Sequence, residues 1–181
     1  MILPWVRYLP SDNCSSREGC EVDAVVIHHI SLPPGRFGGG YVEDFFCNRL
    51  DPSLDPFFEG IRGLRVSAHF FVARGGEVTQ FVDTDLKAWH AGESCLGGAA
   101  DVNRFSVGVE LEGDGCTPFT EAQYEALGRL LAEVRRAHPR VVPQRVVGHE
   151  HVAPGRKEDP GPLFAWDRVL RELHRQVVES A

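Results

Sequence analysis

Residues 22–40 read VDAVVIHHISLPPGRFGGG, and this stretch decides the fold. Its first half, Val22 to Ile30, is an almost continuous apolar run, which is typical of a strand buried on both faces. Its second half, Ser31 to Gly40, is rich in proline and glycine and is therefore predicted to be a loop. A strand buried on both faces indicates a sheet that is covered on both sides.

The elements around this stretch alternate between strand and helix signals. A short helix is predicted over about Tyr41 to Arg49, and a hairpin over Val66 to Ala73 and Glu77 to Val82, around Arg74-Gly75-Gly76. The run Phe105 to Leu111 alternates, with Phe105, Val107, Val109 and Leu111 on one face.

Two amphipathic helices and one more strand are predicted in the second half of the chain. Thr120 to Gln123 form a capping box, and the helix that follows has a core-facing stripe of Leu127, Leu130, Leu131 and Val134. Val146 and Val147 indicate a short strand. The last helix is marked by Trp166, Val169, Leu170, Leu173 and Val177. This order predicts an α/β protein with a mixed central β-sheet flanked by helices.

Composition limits the class of protein. A chain of 181 residues with 43% hydrophobic content suits one domain over residues 1–181. No apolar stretch approaches the roughly 20 residues of a membrane span, and the N-terminus MILPWVRYLPSDN lacks the pattern of a signal peptide. A net charge of −7 argues against nucleic acid as a partner. We therefore expect neither a nucleic-acid nor a membrane partner.

The five cysteines do not form a recognisable framework. Their number is odd, their spacing is irregular and no CxxC pair occurs, so neither a disulfide scaffold nor a cysteine zinc site is indicated. Free thiols without an export signal fit a reducing cytoplasm. A bridge between Cys14 and Cys20 remains an alternative.

Three distant residues have the chemistry of a catalytic zinc site. His28 ends one apolar run, His149 follows another, and Asp159 lies in a proline-rich loop. Catalytic zinc takes three protein ligands of this kind and leaves one position open. Spacing alone does not establish the site, and an ordinary buried histidine is the alternative for His28. Because neighbouring strand residues point to opposite faces, only one of His28 and His29 can reach the metal.

The motifs around these residues resemble a known family. VVIHHISLPPGRFGG (25–39), LRVSAHF (64–70), AWHAG (88–92), FSVGVELEG (105–113) and GHEHVAPGRKEDPGP (148–162) occur in this order. They resemble the AmpD family of N-acetylmuramoyl-L-alanine amidases over nearly the whole chain. The resemblance implies an amidase fold of the kind also found in peptidoglycan-recognition proteins, with one zinc per chain on His28, His149 and Asp159. It also places Glu110 and Lys157 on the catalytic glutamate and lysine.

The alternation of the second strand supports the role of Glu110. Glu110 and Glu112 lie on the face opposite Val107 and Val109, and a buried unpaired carboxylate is costly unless it faces a wet cleft or a cation. Glu110 is thus a candidate general base, with an ordinary polar strand face as the alternative. Glu112 is expected to be a supporting or solvated residue.

Other residues are weaker candidates for substrate contacts. By the resemblance, His69, Trp89 and His90 line the substrate groove, although core positions remain open for His69 and Trp89. Arg65 is a candidate for pairing with a peptide carboxylate, and Asn103 is a weaker one.

Two histidines differ from the residues that the family commonly has, and one loop is rich in glycine. His29 and His151 stand where the family commonly has asparagine and aspartate. His29 is interpreted as a hydrogen-bonding neighbour, and entry of His151 into the metal site remains an alternative. The glycine-rich loop Leu32 to Gly40 is predicted to be a mobile flap, with Phe37 over the site.

The resemblance also implies the reaction. Zinc would activate water near neutral pH, Glu110 would carry the proton to the leaving amine, and Lys157 would stabilise the oxyanion. The substrate would be the amide between the lactyl group of N-acetylmuramic acid and L-alanine, in cytoplasmic 1,6-anhydro-N-acetylmuramoyl peptides released during cell-wall recycling. We expect a monomer. The alternatives are an amidase acting on intact periplasmic peptidoglycan and a peptidoglycan-binding module without catalysis.

Overall fold

The computed structural model describes residues 1–179, and the side chains of residues 1–173. Within them the chain forms one six-stranded sheet and two small two-stranded sheets, with five α-helices. The strands are β1 (Arg7–Tyr8), β2 (Cys14–Ser16), β3 (Ala24–Ile30), β4 (Phe70–Val72), β5 (Val78–Gln80), β6 (Leu86–Ala88), β7 (Cys95–Leu96), β8 (Ala99–Ala100), β9 (Ser106–Glu112) and β10 (Val146–Gly148). The helices are α1 (Tyr41–Phe46), α2 (Pro56–Gly60), α3 (Glu121–Ala137), α4 (His149–Val152) and α5 (Trp166–Glu179).

The main sheet is mixed, as the sequence predicts. Its strand order is β1-β5-β4-β9-β3-β10. The pair β4 and β5 is antiparallel, whereas the other neighbours are parallel. The α/β class with a mixed central sheet flanked by helices is therefore confirmed.

The centre of the sheet is the pairing of β3 with β9, which places His28 opposite Glu110. Paired residues of parallel strands project to the same face, so these two polar side chains share one side of the sheet. The other side carries Val25, Ile27 and Val109, which are completely buried in the main core together with residues of α3 and α5. The apolar face thus anchors the two strands, and the opposite face is left for the site.

Helix α3 begins at the capping box predicted from the sequence. The Thr120 hydroxyl accepts a hydrogen bond from the Gln123 backbone at 3.1 Å, and the Gln123 side chain accepts one from the Thr120 backbone at 3.0 Å. The stripe that follows is buried against the sheet, as predicted: Leu127, Leu130, Leu131 and Val134. In α5, Leu173 is completely buried, while the side chain of Val177 lies outside the described residues.

Three element boundaries differ from the sequence prediction. Helix α1 ends at Phe46 instead of about Arg49, because Asn48 has a positive φ of 57°, which stops a right-handed helix. The hairpin around residues 74–76 is present, but its strands β4 and β5 have only three residues each. Phe105 precedes β9 and packs with Val26 in a small cluster, so its predicted place on the face of Val107 was wrong.

None of the helices within residues 1–179 combines the length and apolar character that a bilayer crossing requires.

Candidate active site and metal centre

The candidate site lies at the carboxyl ends of three neighbouring strands. His28 is on β3, Glu110 is on β9, and His149 directly follows β10 as the first residue of α4. Because these strands are parallel, their ends meet at one edge of the sheet, where open α/β folds bind ligands. The loop after α4 brings in Asp159, whose backbone carbonyl accepts a hydrogen bond from the Glu150 N–H at 2.9 Å.

Three side-chain atoms from these segments converge on one point. The Nδ1 atoms of His28 and His149 are 2.9 Å apart, and each lies 3.0 Å from Oδ2 of Asp159. His28 is 1% exposed and His149 is 3% exposed. The structure therefore brings together all three residues that the sequence proposes as zinc ligands.

The hydrogen bonds behind the two rings determine which nitrogens face this point. His149 Nε2 lies 3.0 Å from the carbonyl oxygen of Ala91, so that nitrogen must carry the proton. His28 Nε2 lies 3.0 Å from Nδ1 of His90, and burial lowers the pKa of His28 to about 4. The ring of His28 is thus neutral near pH 7, and with the proton of His149 on Nε2 the Nδ1 atoms of both rings face this point.

Asp159 completes the cluster as an ionised carboxylate. Burial by itself raises the pKa of this carboxyl group, but hydrogen bonds from His149 and His28, which require a proton on the facing Nδ1, outweigh that effect and lower the pKa below its ordinary value. A cation in the same place would take over the role of that proton.

This donor set fits zinc. Two imidazole nitrogens and one carboxylate oxygen in mutual contact are three acceptors, which repel one another unless a proton or a cation lies between them. Zinc binds nitrogen and oxygen at about 2.0–2.2 Å, so tetrahedral ligands lie roughly 3.4 Å apart, a few tenths of an ångström wider than here. The three side chains would hold the ion and leave a fourth position for water or substrate.

Glu110 lies beside this cluster and is 8% exposed. Its Oε2 atom is buried and has no hydrogen-bond partner among the residues that the structure describes. Burial raises the pKa of Glu110 well above its ordinary value; the nearby charge of Asp159 raises it further, while Lys157 lowers it. A buried carboxyl group with one free oxygen can accept a proton from a molecule bound beside it.

Lys157 and Asp159 line a cleft of about 670 Å³ at the same edge of the sheet. Lys157 is exposed, and its charge influences both Glu110 and His28. His29 also lines the cleft, although His28 beside it is buried, as the alternation of a strand requires. The other lining residues are Asp114, Gly115, Cys116, Gly155, Arg156, Glu158, Gly161 and Pro162.

His151 does not enter the metal cluster. Its Nδ1 accepts a hydrogen bond from the Gly148 N–H at 2.8 Å, and its ring packs on Trp166 with the centroids 5.5 Å apart. His151 therefore caps α4. An aspartate carboxylate would provide the same kind of acceptor at this position.

Two residues that the sequence predicts as substrate contacts are buried and bonded to the backbone. His69 is completely buried, its Nδ1 accepts a hydrogen bond from the Gly108 N–H at 2.9 Å, and its Nε2 lies 3.0 Å from the Leu86 carbonyl. Asn103 is 8% exposed, and its side-chain oxygen accepts hydrogen bonds from the backbone of His90 and Ala91. Both ring nitrogens of His69 therefore have partners within the protein, while the substrate contact of Asn103 stays a prediction.

The remaining substrate candidates lie in different places. Trp89 is half-buried, and its indole N–H donates to the Ser15 hydroxyl at 3.1 Å. Arg65 is exposed and lines a separate cleft with Phe45 and Arg62, which contains none of the three metal-ligand candidates. His90 contacts His28 directly, so its first partner is the metal cluster.

Sequence reasoning missed Arg156 as a support of the site, whereas it named Glu112 as a supporting or solvated residue. Arg156 donates to the carbonyls of Ala91 and Glu93 at 2.5 and 2.6 Å and so fixes the loop that bonds His149. Glu112 is 5% exposed and accepts hydrogen bonds from the backbone N–H groups of Gly38 and Arg74. Backbone contacts of this kind leave no pattern in a sequence.

The predicted flap, Leu32 to Gly40, contacts the rest of the protein through Gly38 and Phe37. Besides the bond from Gly38 to Glu112, the Phe37 ring packs under Arg74, with 4.8 Å between the guanidinium carbon and the ring centroid. Motion of the loop stays a prediction.

Comparisons with known proteins identify the family of the chain. The family model for N-acetylmuramoyl-L-alanine amidase matches residues 18–162. The chain is 47% identical, over 153 residues, to the 1,6-anhydro-N-acetylmuramyl-L-alanine amidase AmpD of Haemophilus influenzae, covering 84% of this chain and 83% of that protein.

Solved structures give the same result. A crystal structure of a selenomethionine derivative of AmpD superposes with a TM-score of 0.92 at 40% identity, covering 95% of this chain and 96% of that one. The amidase AmiD from E. coli, solved with the substrate anhydro-N-acetylmuramic acid-L-Ala-D-γ-Glu-L-Lys, has a TM-score of 0.63 at 27% identity and covers 91% of this chain and 60% of that one.

Proposed function

The chain belongs to the AmpD family of N-acetylmuramoyl-L-alanine amidases and is an enzyme of that class, and from this premise we propose that it is a zinc-dependent hydrolase of 1,6-anhydromuropeptides. The bond cleaved is the amide between the lactyl group of N-acetylmuramic acid and L-alanine. The observation that carries the proposal is the contact of three acceptors, His28 Nδ1, His149 Nδ1 and Asp159 Oδ2, beside the buried carboxyl group of Glu110.

The three ligands would hold one zinc ion per chain. When bound there, zinc supplies a Lewis acid that activates water near neutral pH and polarises the scissile carbonyl. The neutral state of His28, which burial favours by lowering its pKa to about 4, keeps the nitrogen ready for the metal through the physiological range.

Glu110 would act as the proton carrier. Its unpartnered Oε2 accepts the proton of the attacking water, and the same carboxyl group then delivers that proton to the leaving amine of L-alanine. The raised pKa of Glu110 suits the second step, because the protonated form is then easily reached near neutral pH. Lys157, exposed on the cleft, would stabilise the negative charge that develops on the carbonyl oxygen.

The substrate is proposed from the relatives. The H. influenzae protein is named for the 1,6-anhydro-N-acetylmuramyl-L-alanine bond, and E. coli AmiD was solved with an anhydromuropeptide. A cleft of about 670 Å³ beside the metal ligands is large enough for part of such a molecule. Among the predicted substrate contacts, Trp89, Arg65 and Asn103 remain proposals, while His69 and His90 are assigned to the support of the site.

The cellular setting is proposed on the same basis. We place the chain in the cytoplasm, as a monomeric single domain over residues 1–181 that acts in cell-wall recycling. The five cysteines are free thiols, including Cys14 and Cys20, and free thiols are compatible with a reducing compartment.

Product analysis on two substrates tests the proposal. The purified protein, loaded with zinc, is incubated with 1,6-anhydro-N-acetylmuramoyl-tripeptide or with intact sacculi, and the products are identified by mass spectrometry. We expect release of free tripeptide from the soluble substrate, loss of activity after chelation, and recovery on addition of zinc. Cleavage of sacculi alone would indicate an enzyme of intact peptidoglycan, and activity unaffected by complete removal of zinc would refute the metal mechanism.

A further inference from the structure

A chain of hydrogen-bonding groups runs from His28 away from the cleft to a backbone carbonyl. His28 Nε2 lies 3.0 Å from His90 Nδ1, and His90 Nε2 lies 3.2 Å from the Ser106 hydroxyl. The Ser106 hydroxyl lies 2.7 Å from the carbonyl oxygen of Val102. His28 and Ser106 are at most 1% exposed, and His90 between them is half-buried.

The last group of this chain sets the direction of every bond. A carbonyl oxygen only accepts, so the Ser106 hydroxyl must donate its single proton to Val102. Ser106 can then only accept from His90, which places the proton of the neutral His90 ring on Nε2. His90 Nδ1 is left with a lone pair and accepts from His28 Nε2, so the Nδ1 of His28 faces His149 without a proton.

The reverse direction conflicts with two contacts. If Ser106 donated to His90, its oxygen and the Val102 oxygen would be two acceptors 2.7 Å apart. His28 would then carry its proton on Nδ1, between His149 and Asp159, where it would block a metal.

The ring of His90 is held in place on several sides. It meets the His28 ring edge-on, with 5.1 Å between the centroids and an interplanar angle of 83°. It also lies directly on Gly108, where a Cβ atom would come within 2.4 Å of the ring. The backbone N–H of His90 donates to the Asn103 side chain at 3.2 Å. The ring therefore has little freedom to turn its nitrogens away from His28 and Ser106.

We propose that His90 is a positioning residue for the metal centre, which together with Ser106 holds His28 in the tautomer that presents Nδ1 to the metal. This inference rests on the proposed zinc function of the same site. It gives His90 a role through His28, in place of the substrate contact that the sequence resemblance implies.

The first test measures the affinity for Zn²⁺ alone by competition with a chelator. Ser106→Ala removes the group that directs His90, and supporting residues of this kind typically contribute 10- to 100-fold to metal affinity. Ser11→Ala is the matched control, because Ser11 is also buried and also donates to a carbonyl, that of Phe46, away from the site. We expect a loss of that size in Ser106→Ala and unchanged affinity in Ser11→Ala. Equal affinities of both variants and the wild type would overturn the proposal.

A second pair of variants separates hydrogen bonding from packing. His90→Asn can place its side-chain oxygen near the position of Nδ1 and accept the proton of His28, whereas His90→Leu cannot. We expect Zn²⁺ to bind more tightly to His90→Asn than to His90→Leu. Equal losses in the two variants would show that only the volume of the ring matters, and would overturn the proposed role.

The tautomer is measured directly by long-range ¹H–¹⁵N NMR of the histidine rings in the wild-type, zinc-loaded protein. We expect the proton on Nε2 in both His28 and His90, and a proton on Nδ1 of His90 would overturn the inference even if the variants failed to fold. This experiment also distinguishes the two proposals. If the wild-type protein binds no zinc, both the zinc function and the role of His90 are refuted. If it binds zinc but His90 has the opposite tautomer, only the role of His90 is refuted.

Discussion

The substitution Glu110→Gln separates the chemistry of the site from its stability. Glutamine keeps the shape of the side chain but cannot accept the proton of the attacking water. A positioned general base contributes about 10² to 10⁴ in rate, which corresponds to roughly 2.7 to 5.4 kcal/mol of transition-state stabilisation. We expect turnover of the anhydromuropeptide to fall by that factor, while zinc content stays at one per chain because the three ligands are intact.

The same substitution should raise the stability of the zinc-free protein. Burial raises the pKa of Glu110 well above its ordinary value, so above the ordinary pKa the unfolded state releases this proton more readily than the folded state, and the folded state loses stability as the pH rises. Glutamine removes that ionisable group. The melting temperature of the apo variant should therefore exceed that of apo wild type, and the difference should shrink with zinc, whose charge favours the carboxylate.

Glu112→Gln is the matched control for both measurements. Glu112 is on the same strand and equally buried, but its oxygens accept backbone hydrogen bonds from Gly38 and Arg74. An amide N–H₂ in place of one oxygen would leave a backbone N–H unpaired, at a cost of about 1–3 kcal/mol. We expect this variant to lose stability and to keep most of its catalytic rate. Wild-type turnover in Glu110→Gln with a large loss in Glu112→Gln would refute the assignment of the base.

Three further predictions follow from the register and packing of the sheet. His28→Asn should lose stoichiometric zinc in metal analysis while His29→Asn keeps it, and the opposite result would show that the strand register is wrong. Gly108→Ala should lower the free energy of unfolding by about 1–3 kcal/mol and weaken zinc binding, because a Cβ there would lie 2.4 Å from the ring of His90, which contacts His28. Gly128→Ala in α3 is the control, because the nearest atom to its Cβ would be 3.5 Å away. We expect this variant to be neutral or stabilising in denaturant titrations. Burial lowers the pKa of His69 to about 3, so between pH 6.5 and 3 the unfolded state binds a proton that the folded state does not. The free energy of unfolding therefore falls as the pH falls, by up to about 1.4 kcal/mol per pH unit. Acid unfolding of His69→Asn should lack this contribution, and an unchanged dependence of stability on pH would contradict it.

The fold was largely predictable because its signals are local. The continuous apolar run of β3 and the alternation of β9 reflect which faces are buried, and the capping box at Thr120 is a direct side-chain pattern. The boundary of α1 was missed because a positive φ at a single asparagine leaves a weak trace in sequence. Strand lengths in the β4–β5 hairpin depend on neighbours far along the chain.

Of the candidate site, the sequence predicted the metal-ligand candidates but not the hydrogen bonds that support them. His28, His149 and Asp159 were found because motifs surround them, and the structure brings them together. The hydrogen bonds of His69 and Asn103 involve backbone partners from other segments, which neither the family resemblance of His69 nor the residue type of Asn103 indicates. One signal for His90 was present: Ser106 and Gly108 are small residues on the same strand face as Glu110, and they leave room for a ring.

The three facing acceptors also make the stability of the folded chain depend on the free zinc concentration. An unfolded chain does not assemble His28, His149 and Asp159, so a metal that binds them stabilises only the folded state. At a free zinc concentration 100 times the dissociation constant this linkage amounts to about 2.7 kcal/mol, and a protein of this size would melt roughly 5–11 °C higher. Proteases act on the unfolded fraction, so the half-life of the protein in a cell would shorten as zinc becomes scarce.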